Sequence, residues 1–115
     1  MGSGSTLPQD LSAPSQVIAE ALDENSFQVC WTPAAGDLKV EIHRQAFGEV
    51  GSKYVITLAP GQTCYTDDHA FRSGFVYWVK HVSLDGLHES PWALSAPVVA
   101  PNFYQWTTYL PVFLK

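Results

Sequence analysis

Cysteine, basic residues, long apolar runs and helical periodicity are all scarce in this sequence, and each scarcity removes a class of function. Cysteine occurs twice, as Cys30 and Cys64, too few for a disulfide framework and without the paired spacing of a zinc site. Lysine and arginine number six in a chain of net charge −5. Scattered at Lys39, Arg44, Lys53, Arg72, Lys80 and Lys115, they form no basic patch able to neutralise several phosphates, so neither nucleic acid nor membrane is an expected partner. No apolar run approaches the roughly 20 residues of a membrane helix, and residues 1–10 have neither the basic start nor the apolar segment of a signal peptide. Helical periodicity is absent, because the eight prolines interrupt every window in which a helix could begin. No Ser, Cys or carboxylate is spaced from His43, His69, His81 or His88 as a nucleophile is from its base. The expectation is a protein that is not an enzyme and takes no cofactor.

What the chain does contain is a series of short strands. With 115 residues, 46% of them apolar and 15% charged, it is one globular domain. The clearest signal is TCYTDDHAFRSGFVYWVKHVSLDGLHESPW, residues 63–92. Within it Phe75, Tyr77 and Val79 alternate with Val76, Trp78 and Lys80, the two-residue period of a strand. Both faces are bulky, which places this strand centrally in a sheet, and Asp85-Gly86 suits the positive backbone angles of a tight turn before a strand returning from about Glu89. Similar patterns and breaks put strands at about 16–22, 26–32, 38–44, 53–58, 63–66, 74–83 and 92–99. Seven strands joined by tight turns predict an all-β fold, an antiparallel Greek-key sandwich of two packed sheets.

On these elements the chain resembles a fibronectin type III domain over residues 13–100. The matching residues are Pro14 before the first strand; Phe27, Val29 and Trp31 facing inward on the second, followed by Pro33; Val40 and Ile42 on the third; Thr63-x-Tyr65-x-Asp67; the long strand; and Gly86-x-x-x-Ser90-Pro91. Two positions depart from the family pattern. Phe75 stands where a corner tyrosine is usual and has no hydroxyl to bond back to the chain, so that brace must be replaced or missing. His81 stands where a small inward residue is more usual. The resemblance makes the second and fifth strands neighbours, with Cys30 and Cys64 on their shared outer face. The antibody-type bridge between sheets is excluded, because the long strand has no cysteine. Two free thiols are the expected state; a bridge requires matched register and a Cα separation below about 7 Å.

Asp67-Asp68-His69 is the one cluster resembling a metal site or an acid/base pair, although adjacent residues on a strand point apart and Asp67 is expected to end a strand and cap a turn. On the outer face of the second sheet Trp78 should lie amid Lys80, Lys39, Glu41 and His43. This is either an aromatic anchor for a partner or a ring lying flat on its neighbours. The stronger functional signal follows Pro101. Residues 102–115 include Phe103, Tyr104, Trp106, Tyr109, Leu110, Val112 and Phe113, an apolar liability if left free. Such a segment folds back on its own sandwich, begins a neighbouring domain, or docks on another subunit by adding a strand to a sheet edge. Docking is the reading preferred here.

The expected organisation is therefore a flexible arm at 1–12, whose MGSGS start is a cloning remnant or a native linker, a sandwich at 13–100, and an aromatic arm at 101–115. The turn at residues 86–92 is similar to those of fibronectin-like modules in bacteriophage tail proteins. That likeness implies a small virion component, in a homo-oligomer or larger assembly. The alternative is a cell-surface or secreted module binding a protein or glycan through Trp78. No Arg-Gly-Asp triplet and no doubled Trp-Ser motif is present to support an adhesion or cytokine-receptor reading.

Overall fold

The structure is a computed structural model, and it describes residues 7–23, 25–68 and 74–100. All the regular elements are strands: β1 (Ser15–Ala21), β2 (Phe27–Thr32), β3 (Lys39–Ala46), β4 (Lys53–Leu58), β5 (Cys64–Asp67), β6 (Gly74–Val82), β7 (Ala93–Leu94) and β8 (Val98–Val99). They form two antiparallel sheets. One has the order β1-β2-β5; the other runs β4-β3-β6-β7, with β8 also on β6. β6 is central, with β3 along one side and β7 and β8 along the other.

The alternation read in the sequence fills the space between the sheets. Phe27, Val29 and Trp31 from β2, Val40 and Ile42 from β3, and Phe75, Tyr77 and Val79 from β6 are buried there, with Val98 and Ala100. Phe27 meets Phe75 and Tyr77 edge-on, at centroid distances of 5.8 and 6.4 Å, a favoured arrangement for the ring quadrupoles. Tyr65 of β5 packs against the cluster from its margin.

The last strand, the turn after β6 and the segment ahead of Ala13 differ from expectation. The last strand is two short pieces, because Pro97 cannot donate to a ladder and serine side chains replace part of the ladder. Tyr77 N–H donates to Ser95 Oγ at 3.0 Å and Ser95 N–H to the Tyr77 carbonyl at 2.9 Å. His81 N–H and Ser90 Oγ repeat the pattern at 2.9 Å, with Ser90 N–H returning to His81. In the turn after β6 only Gly86 takes a positive φ, +78°. Asp85 instead accepts from Ser83 Oγ at 2.6 Å and Leu87 N–H at 2.9 Å; these bonds, Ser83 first, hold its carboxyl below the usual range. Finally, the segment ahead of Ala13 is attached at residues 8–11. Glu89 N–H donates to the Pro8 carbonyl at 3.0 Å, Leu11 N–H donates to the Glu89 carbonyl at 3.2 Å, and His88 Nδ1 lies 3.0 Å from Asp10.

The two cysteines are bridged, not free. Val29 faces Tyr65 across the β2–β5 ladder, so the next pair outward is Cys30 opposite Cys64. Their Cα atoms are 4.0 Å apart and the sulfurs are joined. Both lie on the outer face of this sheet, and the matched register makes the bond, because directly opposed residues bring their β-carbons within reach.

Candidate partner-binding face

The outer face of the β4-β3-β6-β7 sheet is built by alternation from residues that the inward set leaves behind. Register places His43 opposite Trp78 and Glu41 opposite Lys80 on β3 and β6, Tyr54 beside His43 on β4, and Leu94 beside Trp78 on β7. Trp92, just ahead of β7, completes a cluster of rings. Its centroid is 4.6 Å from that of His43 and 5.8 Å from that of Trp78, and His43 meets Tyr54 edge-on at 5.6 Å. The Lys80 ammonium sits 4.5 Å from the Trp92 ring centre, a cation–π contact, and pairs with Glu89 at 2.7 Å. His43 is held through both nitrogens, Nε2 at 2.7 Å from Glu41 and Nδ1 at 3.2 Å from Ser52.

Trp78 is therefore half-buried in a ring cluster. Its indole Nε1 is buried and has no hydrogen-bond partner among the described residues. Tyr54 and Leu94 are the exposed apolar groups of this face. Trp92 and Tyr54 were not singled out in the sequence. Both were findable, Trp92 because it follows Ser90-Pro91 onto β6's flank and Tyr54 because it leads an apolar strand. The other expected contact residues, Phe103, Tyr104, Trp106, Tyr109, Leu110, Val112 and Phe113, lie outside the described residues.

Asp67 has a structural position. It ends β5 at 1% exposure. Its carboxylate accepts from the Tyr77 hydroxyl at 2.6 Å and pairs with Arg44, joining one sheet to both main strands of the other. Arg44 in turn lies over the Phe75 ring, 5.2 Å from its centre. The brace missing at Phe75 is thus supplied by Tyr77, two residues along the same inward face. Burial, then the bond to Asp67 and its charge, push the Tyr77 phenol up; burial and the charges of Asp67 and Asp68 raise Tyr65 as well. Asp68 accepts from Ser26 Oγ at 3.2 Å, and His69 lies outside the described residues. Among the described residues no three His, Cys, Asp or Glu side chains group as a metal site.

His81, the second departure, is buried and bonded at both nitrogens. Ala34 N–H donates to Nε2 at 3.0 Å, and Nδ1 faces the Lys39 carbonyl at 3.2 Å. These contacts tie the β2–β3 loop and β3 to β6. No helix among the described residues is long and apolar enough to cross a membrane.

No protein-family model matches the chain, and no curated protein matches it. Solved structures do. The fibronectin type III domain of human collagen XX is 19% identical, with a TM-score of 0.62 over 80% of this chain and 97% of that one. A fibronectin type III-like protein from Clostridium thermocellum is 23% identical, with a TM-score of 0.60 over 77% of this chain and 90% of that one. A β-1,2-glucanase from Parabacteroides distasonis is 27% identical, with a TM-score of 0.63 over 84% of this chain but only 14% of the glucanase. The strand order, the core and these likenesses agree: the chain has the fold of a fibronectin type III domain.

Proposed function

We propose that the chain is a non-enzymatic structural module that docks into a larger assembly through residues 101–115, as a small component of a virion. The observation that carries this reading is a contrast in how aromatic rings are used. Phe27, Phe75 and Tyr77 fill the core, and Trp78 and Trp92 pack on each other. The sequence after Ala100 then adds five more aromatic residues: Phe103, Tyr104, Trp106, Tyr109 and Phe113. Apolar surface on this scale is stabilised by burial against a partner. The buried groups that could have served chemistry are engaged internally: Asp67 with Tyr77 and Arg44, His81 with two backbone groups, and Glu89 with Lys80. The disulfide suits an oxidising location such as an extracellular surface or a virion. Light scattering on the whole chain and on a chain ending at Ala100 tests the proposal. Docking through the tail predicts association that disappears with the tail; monomers in both cases, with a protease-sensitive tail, would contradict it.

A second reading is a cell-surface or secreted module that binds a protein or glycan through the ring face. It is favoured by the indole nitrogen of Trp78, which has no hydrogen-bond partner among the described residues, and by the exposure of Tyr54 on the same face. Under this reading Trp78→Ala abolishes ligand binding and leaves assembly intact, whereas the tail reading predicts the reverse for removal of residues 101–115.

A further inference from the structure

Most strand edges of the described sandwich are closed to further pairing. β5 is short and joined to β2 by the disulfide. β1 has an irregularity around Gln16, whose φ is +52°. On the far flank of β6 the chain is broken by Pro91 and Pro97, and residues 8–11 lie along Glu89. These are the devices by which native sheets blunt their edges: shortness, proline, bulges and cover.

β4 has few of them. Lys53–Leu58 pairs with β3 on one side, and among the described residues no strand pairs with the other. It lacks proline, its single charge is at its first residue, and Tyr54 is 60% exposed. Its protections are Lys53 at that end and the irregularity between Ile42 and His43 in the ladder with β3. At its Lys53 end lies a depression of about 290 Å³ lined by Arg44, Ala46, Glu49, Lys53, Tyr54 and Phe75. Val50, on the adjoining turn, is fully exposed.

We propose that β4 is an acceptor edge for residues 103–109 of a second copy of the chain, which add to it as an antiparallel strand. This deepens the assembly reading and rests on it. The segment, FYQWTTY, is uncharged, has no proline or glycine, and is made almost wholly of aromatic and β-branched residues, the composition of a strand. Backbone pairing supplies the register, and the depression between Tyr54 and Phe75 seats one aromatic side chain of the incoming strand.

Chain direction selects a second copy over the same one. β8 leaves the sandwich past Val99, opposite Gly74. That is the end of the sheet where Ala46 faces Phe75 and where β4 begins, with Lys53 opposite Arg44. A segment crossing that end within its own chain and then lying along β4 runs in β4's own direction, giving a parallel pair. A segment from another copy is free to enter from the Leu58 end and pair antiparallel, the arrangement slightly more stable per residue.

Hydrogen exchange on the unmodified full chain, followed across the concentrations at which light scattering detects association, tests this. The expected result is exchange slowed at least tenfold at the outward β4 amides, arising in step with association. Association with no change at β4 would overturn the acceptor edge while leaving tail docking intact. Slow β4 exchange at the lowest concentration, in a monomer, would show cover from the same chain and overturn the proposal. Monomers at every concentration with fast β4 exchange would overturn both it and self-association through the tail.

Discussion

On the outer face of the β1-β2-β5 sheet, Cys30 and Cys64 are opposed and covalently joined; on the outer face of the β4-β3-β6-β7 sheet the cross-strand contacts are rings, Tyr54, His43, Trp78 and Trp92. A bond suits the smaller sheet, because β5 contributes a short ladder with few contacts of its own and yet carries Asp67, which links the sheets. The larger sheet holds together through the long β3–β6 ladder and its buried inner face. Its outer rings can then remain half-buried, and its β4 edge unpaired among the described residues. The covalent fastening is thus on the sheet without a long ladder, and the accessible apolar surface is on the sheet that has the longest one, β3–β6.

Removing the bond should break this contrast most severely. Replacing both cysteines, Cys30→Ala with Cys64→Ala, opens a cross-link with a sequence separation of 34. In the loop-entropy model that costs about 4 kcal/mol. The expected outcome is a melting temperature lower by roughly 15–30 °C for a domain of this size, with amide exchange rising first in β5. A melt unchanged by the double replacement would show that β5 is held by its ladder alone.

Asp67→Ala should cost somewhat less, about 3 kcal/mol, the low end for breaking a buried pair because Arg44 keeps some solvent contact. Denaturant unfolding measures it, and Arg44→Met combined with Asp67→Ala should recover part of the loss. Tyr77→Phe removes only the hydroxyl and should cost about 1.5–2 kcal/mol, as for a hydrogen bond to a charged group. It also has a pH signature. The folded phenol titrates above its ordinary value of 10.0, so above that pH the unfolded chain releases a proton that the folded chain retains. Stability from this group is fully present below pH 10 and declines as pH rises beyond it; Tyr77→Phe should flatten that alkaline decline. Gly86→Ala, at φ +78°, probes the smallest feature and should cost about 1 kcal/mol by melting, with little change at either sheet edge.

The alternation of residues 75–80 was legible because a strand's faces are set by neighbours in sequence. The inward sets on β2, β3 and β6 and the central place of β6 followed from it. Pairing across the sandwich was less legible. Asp67 and Tyr77 are on different sheets, and nothing local distinguishes a carboxylate that caps a turn from one that meets a phenol beneath it. The disulfide depended on one step of register: shifted by a residue, the same two outward cysteines would not be opposed. Residues 8–11 show the same limit, since Pro8 and Leu11 meet Glu89 through backbone groups that every sequence possesses, and Gln9 Nε2 reaches its carboxylate from 80 residues away in sequence. The ring cluster was half-visible, because the alternation placed Trp78 and His43 outward but did not bring Trp92 across from its loop.

Matched charges on β4 and β5 separate an accessible edge from a fastened one. Thr57 on β4 and Thr66 on β5 are both exposed edge residues, and a lysine at either is a natural guard against strand pairing. At position 57 it also lies opposite Glu41, a favourable neighbour. The measurement is the light-scattering mass of the full chain carrying Thr57→Lys or Thr66→Lys. Thr57→Lys is expected to shift the mass toward monomer and Thr66→Lys to leave it unchanged; equal masses for both variants, or a loss confined to Thr66→Lys, would show that β4 is not the docking edge.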